Sequence, residues 1–107
     1  MKNTIKIIYE NKRPYLLDRD INYLAALING TIFSQEIHGN LSKENRLFKE
    51  EFNKWICHTH SYYEKDENVT WDNVILFRNF NSRGQALDVF LKLYKEWYIE
   101  KFGEDAW

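Results

Sequence analysis

The side chains able to do chemistry are concentrated in ICHTHSYYEKDENVTWD, residues 56 to 72, which holds Cys57, His58, His60, Tyr62, Tyr63, Glu64, Asp66, Glu67, Trp71 and Asp72. A thiol, two imidazoles and four carboxylates are the groups that ligate zinc or carry protons. A metal needs three or four of them to converge. On a helix, His58 and His60 point about 160 degrees apart around the axis, so they cannot share an ion. Neither HExxH nor paired CxxC occurs. No metal and no other cofactor is expected.

Acid–base catalysis by His38, His58 or His60 with a nearby Lys or Arg would suit a nuclease. Two of these histidines border an acidic run, however, which repels phosphate. A small histidine-dependent enzyme is therefore the lesser reading, and the chain is expected not to be an enzyme. Cys57 and His58 are sequence neighbours that point apart on a helix, and no GxSxG is present. Glycines at 30, 39, 84 and 103 write neither GxGxxG nor a P-loop. SRGQ at 82–85 reads either as an anion site at a helix start or, more simply, as the cap of that helix.

An acid–aromatic surface remains: Tyr63, Glu64, Asp66, Glu67, Trp71 and Asp72. Tyr and Trp give rigid contact area, and carboxylates around them select a basic partner and hasten its capture. Trp71 serves equally as a core residue. The expected partner-binding set is these six residues.

The elements that must position them follow from periodicity. Residues 3–9, NTIKIIY, read as a strand. ENKRP turns the chain and residues 15–17 return as a short second strand. Asp18 or Asp20 caps a helix carrying Ile21, Leu24, Ala25, Leu27 and Ile28, which either stops at Asn29-Gly30 or resumes to Ile37. Ser42 caps a second helix, with Leu47, Phe48, Phe52, Trp55, Ile56, Thr59 and Tyr62 or Tyr63 on one face. Val74 to Phe77 read as a buried strand, although Thr70 could cap a short helix there. Ser82 and Gln85 open a last helix through Ala86, Leu87, Phe90, Leu91, Tyr94, Trp97 and Tyr98, ended by Gly103. The order β-α-α-β-α predicts an α+β fold, a small sheet with about three amphipathic helices packed on it.

With 107 residues the chain is one domain, 1–107, able to form a core without disulfides or metal. Cys57 is its single cysteine, which fits a reducing cytoplasm. The basic N-terminus lacks the pattern of a signal peptide, and no apolar run spans a bilayer, so no membrane is expected. Fifteen Lys and Arg against sixteen Asp and Glu argue against direct nucleic-acid binding. Seven Tyr, seven Phe and four Trp exceed what a core of this size hides, so some rings are expected at the surface.

In layout, the Tyr62–Asp72 patch followed by the Val74–Gly103 segment resembles the small bacterial immunity proteins, of barstar-like or contact-dependent inhibition type. That resemblance implies a cognate protein toxin, such as a nuclease, occluded by the acidic surface, with Glu64, Asp66, Glu67 and Asp72 in place of substrate phosphates and Tyr63 and Trp71 as anchors. A phage or mobile-element inhibitor of a host protein is the alternative with the same physics. A homodimer through the aromatic last helix is also open.

Overall fold

The computed structural model describes residues 5–6, 9–10, 20–60 and 70–106. Among them every regular element is helical, so the expected α+β sheet is overturned in favour of an all-α fold. The principal elements are α1 (Ile21–Ile37), α2 (Lys43–Thr59), α3 (Trp71–Arg78) and α4 (Arg83–Phe102).

Both expected strands that can be checked fail for the same reason. Residues 5–6 and 9–10 are helical, with Ile5 fully buried and Lys6 and Glu10 exposed. Ile5 and Ile8 are three apart in the sequence, so the clustered isoleucines satisfy a helical period as well as a strand's. At 74–77 the four consecutive apolar residues carry no period of their own. Trp71, Val74 and Ile75 do, at the three- and four-residue steps of one helix face, and all three are buried while Phe77 is half-exposed. Thr70 precedes α3, its carbonyl accepting from Val74 N at 3.0 Å and its hydroxyl from Asn73 Nδ2 at 3.1 Å. Burial on a helical face outweighs β propensity. The short return strand at 15–17 lies outside the described residues.

Side-chain caps start α1 and α2, whereas Thr70 and Ser82, which precede α3 and α4, make no side-chain capping bond. Asp20 accepts from Asn22 N at 2.8 Å and starts α1. Asn29-Gly30 does not interrupt it; the helix continues to Ile37 and turns off at Gly39, whose φ of +68° suits a residue without Cβ. Ser42 Oγ accepts from Asn45 N at 3.1 Å and starts α2, which ends at Thr59, short of Tyr62. Gly103, at φ +70°, closes α4 and donates to Ile99 O at 2.9 Å.

Rings fill the centre. Phe48 stacks on Phe52 at 4.6 Å and meets Trp71 and Trp97 edge-on at 5.5 and 5.7 Å. Trp71 in turn stacks on Phe90 at 4.8 Å. Such pairs add stability beyond the area they bury. Among the described residues, no helix is long and apolar enough to cross a membrane.

At the edge of this cluster α2 holds α4 through one carboxylate. Tyr94 and Tyr98 donate to the two oxygens of Glu44, at 3.3 and 3.4 Å. Burial pushes the Tyr94 phenol far above the usual tyrosine range, and the Glu44 charge adds to the shift. A folded pKa raised above the unfolded value of 10.0 gives stability that is complete below pH 10 and is lost as pH climbs above it. Denaturant titrations between about pH 8 and 11.5 are expected to show this loss, with a shallower decline in Tyr94→Phe. Equal slopes for the two proteins would refute it.

Candidate functional site

Of the six expected partner-binding residues, Tyr63, Glu64, Asp66 and Glu67 lie outside the described residues. The other two are not surface groups. Trp71 is 8% exposed, with Phe90 against its face and Phe48 and Phe52 at its edges. It starts α3 and belongs to the core, so it does not serve as an exposed anchor. Asp72 is equally covered, and accepts from Asn22 Nδ2 at 2.9 Å. Its carboxylate sits in the first turn of α3, where negative charge is favoured, and ties that turn to the start of α1. Glu64, Asp66 and Glu67, the other carboxylates of the expected set, are among the residues outside the description.

The histidines are placed apart. His38 caps α1 with Nδ1 2.7 Å from Ser34 O. His58 is exposed on the last turn of α2. His60 packs edge-on against Trp55 at 5.3 Å, with Nε2 3.3 Å from Glu96 Oε1, an ion pair when the imidazole is protonated. No group of three His, Cys, Asp or Glu that could hold a metal occurs among the described residues. Cys57 is buried, its Sγ 4.0 Å from Asn53 Oδ1. At the start of α4, Arg83 Nη1 lies 3.4 Å from Asp20 Oδ2, so a carboxylate already faces the guanidinium there.

Sequence reasoning missed the outer face of α1. Ile21, Leu24, Ala25, Ile28 and Ile32 point into the core, whereas Tyr23, Leu27, Phe33 and Ile37 are 55, 40, 64 and 64% exposed. On a helical wheel these four fall within about 120 degrees, opposite the buried five. The helix is apolar on both sides, a pattern that marks burial on both sides. The signal was in the sequence: INYLAALINGTIFSQEI contains one charged residue, Glu36, in a chain that is 29% charged. Glu36 is itself matched, with Lys49 Nζ 2.8 and 2.9 Å from its two oxygens.

Two further features border this face. A cleft of about 350 Å³ opens between α1 and α2, floored by Ile32, Phe48 and Trp71 and rimmed by Phe33, Glu36 and Lys49. Gly30 sits on the outer face in mid-helix, where glycine costs about 1 kcal/mol relative to alanine. A Cβ at Gly30 would meet no atom within 4 Å, so the chain's own packing does not call for a glycine. A smaller apolar spot lies at the α3–α4 corner, where Phe80 is 93% exposed at φ +55° and Asn81 follows at +62°. A phenylalanine held in the left-handed region is a strained position, of the kind found where a surface is used.

Among the described residues, His38, His58 and His60 sit at separate places rather than around one cleft. Among the described residues, four of the exposed large hydrophobics share the outer face of α1, a ring-bearing surface of a kind suited to contact with protein. No family model matches this chain, and neither a curated protein nor a solved structure matches it.

Proposed function

We propose that the chain works by binding another protein, as an inhibitor that covers its partner and transforms nothing. One observation carries the reading: Tyr23, Leu27, Phe33 and Ile37 form a continuous apolar face that no described part of the chain covers. The side-chain area exposed there is on the order of 400 Å², the size of patch that on a monomer is often functional.

The acidic run Glu64, Asp66 and Glu67, with Tyr63 beside it, supplies a second and differently specific contact. Carboxylates of this density favour a basic partner and accelerate its capture. The resemblance to immunity proteins makes a bacterial toxin the partner class, its basic active site or an adjacent surface occluded by these carboxylates. An inhibitor encoded by a phage against a host protein would use the same contacts, and neighbouring genes separate the two.

The test is retention of partners by the tagged protein at low and moderate salt, followed by assay of the retained protein's activity. One stoichiometric partner, inhibited in the complex and released as salt rises, is expected. Charge reversal, Asp66→Lys with Glu67→Lys, should weaken the complex at least tenfold, mainly through slower association. Absence of any partner at either salt would sink the inhibitor reading.

A further inference from the structure

We propose that Phe80 is an anchor for a partner protein, docking into a ring-sized apolar pocket edged by carboxylates. This rests on reading the chain as a protein-binding one, and it adds a contact site which that reading does not use. Helix α3 ends in a left-handed turn: Phe80 N donates to Phe77 O at 3.3 Å and Asn81 N to Leu76 O at 3.0 Å. The residue after the C-cap of such a turn is ordinarily glycine, or else asparagine, because a larger side chain crowds the backbone there. This chain sets Phe80 in that place, at φ +55°, although asparagines stand on both sides of it. The ring adds nothing to the core in exchange, since it is almost wholly exposed. A large apolar residue kept in an unfavourable backbone conformation, outside the core, is placed for a contact beyond its own chain.

The turn also holds that ring in position. Ser82 N donates to Asn79 O at 3.0 Å, and the buried Asn79 donates from Nδ2 to Ile75 O at 2.8 Å. Backbone on both sides of Phe80 is therefore tied to the end of α3, and docking orders little that is not already ordered. Phe77, half-exposed near the end of the same helix, widens the apolar spot.

Charge specifies the partner's chemistry. Residues 73–87 hold Arg78 and Arg83 and no carboxylate, in a chain with sixteen acidic residues. Both arginines are exposed. A guanidinium has five N–H donors and pairs best with carboxylates or phosphates. Asp20 lies 3.4 Å from Arg83 Nη1 and offsets part of the charge, so the corner lacks the surplus of cations that a phosphate-dense surface, nucleic acid or anionic membrane, demands. Carboxylates around a single apolar pocket match this smaller charge.

Phe80→Gly is expected to raise Tm by about 3 °C, because the left-handed position then carries no Cβ. The protein retained by the tagged chain, once purified, should bind Phe80→Gly about thirtyfold more weakly than wild type, the loss that marks a dominant contact. Arg83→Gln should weaken the same complex about fivefold. A Tm that does not rise in Phe80→Gly overturns the strain argument and with it the anchor. Equal affinity of wild type and Phe80→Gly also overturns the anchor and leaves the protein-binding reading intact, whereas a wild-type chain that retains no protein overturns both. Full affinity in Arg83→Gln overturns the carboxylate edge. Binding of the wild type to phosphatidylserine vesicles or to a thymidine oligonucleotide, lost in Phe80→Gly, overturns the protein pocket in favour of a phosphate surface.

Discussion

Phe48→Ala is expected to destabilise the protein by about 3–5 kcal/mol, the range for removing a large ring from a packed core. Phe48 is 1% exposed and lies against five other rings: Phe52, Trp71, Phe90, Tyr94 and Trp97. Those neighbours belong to three different helices, α2, α3 and α4, so the void cannot be closed by one side chain shifting. For a domain whose total stability is about 5–15 kcal/mol, the loss brings the variant close to unfolding at room temperature. Urea titration should give a lower midpoint with little change in slope. Phe33→Ala is the control: the same chemistry at a 64% exposed position should move stability by no more than about 0.5 kcal/mol. Equal effects for the two would contradict the assignment of core and surface.

Trp71→Ala should cost a similar amount, about 3–5 kcal/mol, and its consequence for binding separates two roles. An exposed anchor loses affinity while the fold stays intact. A core residue loses fold, and the remaining folded molecules bind as before. Trp71 lies between Phe48, Phe52 and Phe90 at ring distances of 5.5, 5.9 and 4.8 Å, so the second behaviour is expected. Calorimetry should show a large fall in Tm, and affinity per folded molecule should remain within about threefold of wild type. An unchanged Tm with lost binding would return Trp71 to the interface.

Helices with a one-sided pattern were legible. Charged residues alternate with Phe48, Phe52, Trp55 and Ile56 along α2, and Ser42 caps it as its position suggests. The broad apolar face of α4 and its glycine stop were likewise readable, because Ala86 to Tyr98 keep a helical step over three turns. Short apolar runs were not. Val74 to Phe77 read as a strand by residue type, and only their burial on one helix face with Trp71, a turn earlier, decides for a helix. The site suffered from a related ambiguity. Asp72 looks like one more member of an acidic run, yet a partner fifty residues away, Asn22, draws it inward. Long-range hydrogen bonds of this kind leave no local trace. The α1 face, by contrast, does leave a local trace, because its 17 residues hold a single charge, Glu36.

The placement of the indoles determines what light can report about this protein. Trp55, Trp71 and Trp97 are each 8% exposed or less, and Trp97 Nε1 is buried with no acceptor among the described residues. Their emission follows the integrity of the ring cluster, and Trp71 also floors the cleft that Phe33 of α1 rims. Unfolding should therefore be bright in tryptophan fluorescence, and a group that enters the cleft beside α1 should register through Trp71. A dye attached at an engineered surface cysteine, with buried Cys57 left unreactive, would make the outer face visible.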